Sequence, residues 1–242
     1  MAVEGVSHIG HSRPDNQDDL GWDTAAGVAV VADGLGGHPA GEKASQLAVE
    51  TVLETIAAET YAGSWLTEGG DPSGLLLRAH QRLLDHGHQT PEDAGLATTA
   101  VVVAWDQTSL AVAHCGDSRA YRFSGGYLEC LTADHNAARE AIEAGRLTPE
   151  QAQTSPERHQ LTRALGIGPS GAPGGQLRYM MPAPGDLFLL CTDGLHGELD
   201  DAAISRILHD SGRDLGAASR ALVDAALEAG GHDNVTALLV EV

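Results

Sequence analysis

The apolar positions along the chain follow two rhythms. Runs of apolar, often β-branched residues occupy 27–32, 97–105, 110–115, 187–191 and 235–242, and these predict strands. Residues 120–123 and 127–131 flank Ser124-Gly125-Gly126, which predicts a hairpin. Helical spacing appears at 41–59, where Leu47, Val49, Val52, Leu53 and Ile56 recur at helical steps, and again at 75–85, 202–208 and 215–228. Asp200 or Asp201 is the expected N-cap of the third helix, and Gly230 closes the fourth.

Strands cluster with strands, and the helices come in long pairs without β-α-β alternation. That pattern predicts an α+β fold with antiparallel sheets, and no repeat or linker divides the chain, so one domain over 1–242 is expected. The least regular stretch is 134–178. It holds short helical pieces at 137–144 and 149–153 and a Gly/Pro-rich run at 166–175, and it reads as a surface excursion.

Charge narrows the choice of partners. The 242 residues carry 34 Asp and Glu against 14 Lys and Arg, a formal net charge of −20. Such a surface repels nucleic acid and anionic lipid, and any phosphate chemistry on it needs local positive charge. Aromatic residues are only 4%, so the core must be built mainly from Ala, Val and Leu. Three cysteines, Cys115, Cys130 and Cys191, without C-x-x-C spacing fit a reducing compartment. No signal-peptide pattern opens the chain and no apolar run approaches membrane length, so a cytoplasmic protein without a membrane partner is expected.

Several aspartates share one setting. Asp33 follows the apolar run 28–32 and precedes Gly34; Asp193 follows 187–192 and precedes Gly194. Asp117 lies directly after 110–115, Asp233 directly before the last strand, and Asp18 near the N-terminus. One Asp-Gly is an ordinary turn signal. Five aspartates with similar flanks suggest carboxylates gathered at one sheet edge, which would repel each other without cations. Hard divalent ions with oxygen ligands are the natural compensation. Arg13, with a planar fork that fits two phosphate oxygens, is the candidate phosphate partner.

Two glycine-rich segments mislead. Gly166-Ile167-Gly168-Pro169-Ser170-Gly171 has dinucleotide-site spacing but follows no clear strand and opens no helix. Gly36-Gly37-His38-Pro39-Ala40-Gly41 has Glu42 where a phosphate-binding Lys should stand.

In order along the chain stand Arg13-x-x-Asn16-Gln17-Asp18, Val31-Ala32-Asp33-Gly34-Leu35-Gly36-Gly37-His38, Gly41-Glu42-x-Ala44-Ser45, and Gly116-Asp117-Ser118-Arg119-Ala120-Tyr121. Leu131-Thr132-x-Asp134-His135, Leu161-Thr162-Arg163-Ala164-Leu165-Gly166, Thr192-Asp193-Gly194-Leu195 and Asp233-Asn234-Val235-Thr236 follow. The ordered set resembles the PPM family, the metal-dependent Ser/Thr protein phosphatases of type 2C, in its bacterial single-domain form.

The resemblance implies a four-layer α-β-β-α sandwich with two face-to-face antiparallel sheets and a mobile flap over 134–178. It implies two Mg²⁺ or Mn²⁺ ions and a third, weaker one. Asp33 would bridge the pair, Asp193 and Asp233 would complete one site, and the Gly34 carbonyl with Asp18 would serve the other. Asp117 with Asp193 would hold the third. A metal-bridging hydroxide would attack the phosphorus of phosphoserine or phosphothreonine in line, with Arg13 holding the equatorial oxygens. Many eukaryotic members carry a His directly after the Asp-Gly, proposed as general acid, whereas bacterial-type members have a His three residues later. Here the first of these positions is Leu35, so His38 is the candidate and a metal-bound water the alternative. The implied partners are phosphorylated proteins and a cognate Ser/Thr kinase system, met by a monomer. A narrow phosphatase for one signalling regulator and a non-catalytic phosphoprotein-binding relative stand as alternatives.

Overall fold

The computed structural model describes residues 1–36, 40–59, 65–66, 69–168 and 176–242. Among them the chain runs β1 (Ala2–His8), β2 (Asp18–Asp23), β3 (Val28–Leu35), α1 (Ala40–Glu59), α2 (Pro72–Gln89), β4 (Ala97–Thr98), β5 (Ala100–Trp105), β6 (Leu110–Cys115), β7 (Arg119–Ser124) and β8 (Tyr127–Cys130). It continues through α3 (Ala137–Glu143), α4 (Pro149–Thr154), β9 (Gln176–Met180), β10 (Leu187–Cys191), α5 (Asp193–His196), α6 (Asp201–Asp210), α7 (Leu215–Ala229) and β11 (Val235–Glu241). Single 3₁₀ turns lie at Pro91–Asp93 and Pro156–His159.

The strands form two antiparallel sheets, in the orders β1-β11-β10-β7-β8 and β2-β3-β5-β6-β9, with β4 paired to β3. Strand periodicity distributes the side chains among the layers. In β3, Val28, Val30 and Ala32 pack under α1 and α2 with Val52, Ile56, Leu76 and Leu83. Alternate residues Ala29 and Val31 face the other sheet and meet Phe188, Leu190, Leu238 and Val240. The far side of that second sheet, with Leu189, Ala237 and Leu239, packs on Ile204, Leu208, Leu222 and Val223 of α6 and α7. Four layers, α-β-β-α, result. Burial on both faces explains why these strands read as unbroken apolar runs, since each fully buried Val or Leu contributes about 1.5–3 kcal/mol.

Local chemistry sets the ends of the elements. Asp71 caps α2 by accepting from Ser73 N at 2.8 Å, with Pro72 in the first turn. Asp200, not Asp201, caps α6, accepting from Ala203 N at 2.7 Å. Gly125 and Gly126 have φ of 56° and 84° between paired Ser124 and Tyr127, which makes the tight hairpin turn.

Several sequence-based boundaries move, three of them near the site or the excursion. β3 runs on through Asp33 and Gly34, so these residues lie inside a strand, not beyond it. The run 97–105 breaks at Thr99 into β4 and β5, because Thr99 turns its N–H to the Asp33 carbonyl at 2.8 Å. The excursion that leaves β8 ends at β9, so residues 176–178 belong to the sheet: hydrogen bonding to β6 captures them.

Candidate metal centre and substrate cleft

Strand direction brings one end of both sheets together. β2 begins there with Asp18 and β3 carries Asp33 there near its end, and the two are directly opposite across the antiparallel pair. The turn after β6 brings Asp117, the step from β10 into α5 brings Asp193, and the loop before β11 brings Asp233.

Close backbone approaches fix these positions. A Cβ on Gly34 would lie 1.9 Å from the Gly41 carbonyl oxygen, so the start of α1 can seat against β3 only over glycine. A Cβ on Gly194 would lie 2.0 Å from the Asn234 carbonyl oxygen, and glycine there lets Asp193 and Asp233 face one site. Asn234 ties the loops together: its Oδ1 accepts from Gln17 N at 2.8 Å and its Nδ2 donates to the carbonyls of Ile9 and Asp15.

Asp18 is buried. Its Oδ2 accepts from Thr192 Oγ1 at 2.8 Å and Thr236 Oγ1 at 2.6 Å, whereas its buried Oδ1 has no hydrogen-bond partner. The Asp33 N–H donates to Thr99 Oγ1 at 3.0 Å, and Thr99 Oγ1 lies 2.7 Å from Ser118 Oγ, beside Asp117. The Asp117 carbonyl accepts from His196 Nε2 at 3.0 Å, and the Gly116 N–H donates to His135 Nδ1 at 3.1 Å. Burial holds His196 down to about 3, so it stays neutral. Arg13 donates from Nη2 to Asp233 Oδ2 at 2.7 Å.

Negative charge is concentrated here, and Arg13 offsets it in part. Burial pushes Asp18 up to about 7 in spite of its two threonine hydroxyls, and Asp193 and Asp233 add to the rise. Asp33 is pushed well above the carboxylate range, first by burial and then by Asp18, Asp193, Asp117 and Asp233. Burial and Asp193 do the same to Asp117. Asp193 is raised by burial and Asp233, against the opposing pull of His159, a hydrogen bond with Asp33, and Arg13.

An all-oxygen donor set with a buried, partnerless carboxylate oxygen fits a hard divalent cation. Among the described residues no three His, Cys, Asp or Glu side chains already form a ready coordination shell.

Every sequence-predicted ligand, Asp18, Asp33, Gly34, Asp117, Asp193 and Asp233, is brought to this end of the sandwich, with Arg13 beside them. His38 lies outside the described residues, as does part of each glycine-rich decoy. Sequence reasoning missed the groups that hold the predicted ligands in place: Thr99, Thr192, Thr236, His135 and His196. Thr192 and Thr236 were in plain view inside the quoted motifs, but only the fold shows that both point at Asp18.

A cleft of about 990 Å³ opens from Asp117 and Asp193. Arg139, Arg158 and His159 of the excursion line it, together with Glu198 and Asp200.

Fold, carboxylate cluster and chain order together define a metallophosphatase class, and the family model for protein phosphatase 2C matches residues 4–229. The chain belongs to the protein phosphatase 2C family. It is 32% identical over 99% of its length to a putative protein phosphatase 2C-type of Streptococcus pyogenes, of which it covers 97%. It is equally 32% identical to the serine/threonine protein phosphatase PstP of Mycobacterium tuberculosis, but spans only 44% of that longer protein. The crystal structure of PstP superposes with a TM-score of 0.89 at 29% identity, covering 100% of this chain and 98% of that one. A structure of the PstP catalytic domain holds 2 manganese ions and superposes with a TM-score of 0.85 at 28% identity, covering 99% of this chain and 97% of that one.

Proposed function

We propose that this chain is a metal-dependent phosphatase that hydrolyses phosphoserine and phosphothreonine on proteins. The observation that carries the reading is the buried, partnerless Oδ1 of Asp18 inside a cluster of mutually repelling carboxylates. Family membership and a manganese-holding relative support it. The ligands would be Asp18, Asp33, the Gly34 carbonyl, Asp193 and Asp233 for two Mg²⁺ or Mn²⁺ ions, with Asp117 and Asp193 for a third, weaker one. Bound divalent ions supply Lewis acidity toward phosphoryl oxygens and make a nucleophile available from water near neutral pH.

The protein's own groups do the rest. Arg13 stands at the rim of the cluster, where its fork can leave Asp233 and take two phosphoryl oxygens. Thr192 and Thr236 hold Asp18 in one orientation, and His196 and His135 hold the turn that presents Asp117. Leu35 occupies the place where many eukaryotic members of the family have a His proposed as general acid, which leaves His38 as the candidate proton donor to the departing alkoxide. The cleft beside Asp117 and Asp193 is large enough for the protein segment around a phosphorylated residue.

Among the described residues no helix is long and apolar enough to cross a membrane. We take the chain as one catalytic domain, monomeric and cytoplasmic, opposing a Ser/Thr kinase. The test is phosphate release from phosphothreonine and phosphotyrosine peptides by chelator-stripped protein given Mn²⁺. Metal-restored release from the phosphothreonine peptide is expected. Tight phosphopeptide binding with no release would replace the enzyme with a binding module.

A further inference from the structure

One buried side chain, Asn136, ties two segments of the excursion between β8 and β9 to each other beside the Arg119–Asp134 ion pair. Asn136 is 3% exposed. Its Oδ1 accepts from Arg139 N at 2.9 Å and so caps α3. Its Nδ2 donates in the other direction, to the Arg158 carbonyl at 3.0 Å, and lies 3.4 Å from Asp134 Oδ2. Asp134 is in turn gripped by the sheet: Arg119 of β7 donates from Nε and Nη2 to its two oxygens, each at 2.8 Å. The fork outweighs the burial that would raise the Asp134 carboxylate and holds it below its usual range.

Arg158 and His159 close the 3₁₀ turn Pro156–His159 and form part of the cleft wall, with His159 near enough to Asp193 for the two to interact electrostatically. Backbone bonds flank the asparagine on both sides: Ala137 N donates to the Gln160 carbonyl and Thr162 N to the His135 carbonyl, both at 2.8 Å. The chain of contacts runs from Arg119 to Asp134, Asn136, the Arg158 carbonyl and the wall. A carboxamide is the side chain that can accept a helix N–H and donate to two oxygens at once.

We propose that Asn136 is a positioning residue that sets this wall, and through it the recognition of the protein part of a phosphoprotein substrate. The inference rests on the phosphatase reading above. A small phosphate ester needs the carboxylate cluster and Arg13 alone. A phosphoprotein segment must also lie in the cleft, where a displaced Arg158–His159 ridge meets it first. Asn136 therefore acts on KM for peptides and not on the chemistry.

The decisive variant is Asn136→Ser. Serine is as good an N-cap as asparagine, so α3 keeps its start, but the donor to the Arg158 carbonyl is gone. KM for a phosphothreonine peptide is expected to rise about 3- to 10-fold, with kcat on p-nitrophenyl phosphate changed by less than about 2-fold. In metal-free protein, amide hydrogen exchange at Ala137 and Thr162 is expected to quicken about 5-fold while core amides of β3 and β11 hold their rates. Equal losses on both substrates, or an unchanged peptide KM, would overturn the proposal. If wild-type protein turns over neither substrate, the phosphatase reading falls first. Exchange then still judges the wiring, and unchanged rates at Ala137 and Thr162 would overturn it independently.

Discussion

The Arg13 guanidinium lies 2.7 Å from Asp233 Oδ2, so the candidate phosphate-binding cation and a candidate metal ligand are each other's partners. In a site crowded with carboxylates, Arg13 supplies positive charge that a metal ion would otherwise bring. The pair is half-open to water, with side chains 52% and 33% exposed, and is worth at most about 1 kcal/mol. It would therefore give way easily to an ion on Asp233 and a phosphate on Arg13.

Replacing Arg13 separates these two roles. Arg13→Ala should lower kcat/KM on p-nitrophenyl phosphate by about 10²–10³-fold, as loss of one positioned oxyanion donor does. Mn²⁺ affinity, read by calorimetry, should stay the same or tighten because Asp233 is released. A weaker Mn²⁺ affinity in this variant would show that Arg13 supports the ligands instead of standing in for the ion.

The hydroxyls on Asp18 should matter to metal binding without touching metal. Thr236→Val removes the donor at 2.6 Å and leaves Asp18 with one hydroxyl on Oδ2. Loss of such an outer hydrogen bond typically costs about 10- to 100-fold in metal affinity. The Mn²⁺ concentration for half-maximal activity should rise within that range, and an unchanged midpoint would remove Thr236 from the site.

Stability of the metal-free protein should depend on pH in a defined direction. Asp18 is pushed up to about 7 in the fold from 3.8 in the open chain, so between those values the folded form holds the extra proton. Its contribution is present in full below about 4 and fades as pH rises toward 7. Thermal melts of chelated wild type should therefore lose stability over that interval relative to Asp18→Asn, and Mn²⁺ should cancel the difference. Parallel melts of the two proteins from pH 4 to 7 would contradict the assignment.

Gly194 gives a test of the architecture. Alanine there would put a Cβ 2.0 Å from the Asn234 carbonyl oxygen, which only a backbone shift can relieve. Gly194→Ala should cost roughly 1–3 kcal/mol of stability in a denaturant melt and should weaken Mn²⁺ binding by parting Asp193 from Asp233.

How legible this was in the sequence depended on how much of each signal was local. The runs behind β3, β5, β6, β10 and β11 were readable because both faces of these strands are buried, leaving few polar positions, His114 and Thr236 among them, inside otherwise apolar runs. β2 was not: Asp18, Asp19 and Asp23 are poor strand formers, and only pairing with β3 makes them a strand. β1 lies on a sheet edge with alternate exposed residues and gave little more. At the site, the aspartates announced themselves by their place beside apolar runs. Their convergence did not, because Asp18 and Asp233 meet only through the register of two different sheets. The supporting groups were hidden for the same reason, and His196 sits on a four-residue helix too short to leave a periodic signal.

The most direct test of the central claim is hydrolysis of p-nitrophenyl phosphate by chelator-stripped protein as Mn²⁺ is added, for wild type beside Asp33→Asn. Asparagine keeps the shape of the residue at the centre of the cluster and removes its charge. The account predicts no activity without metal, saturable recovery with Mn²⁺ in wild type, and a variant that stays inactive at every Mn²⁺ concentration. Metal-independent turnover, or recovery in Asp33→Asn equal to wild type, would contradict it.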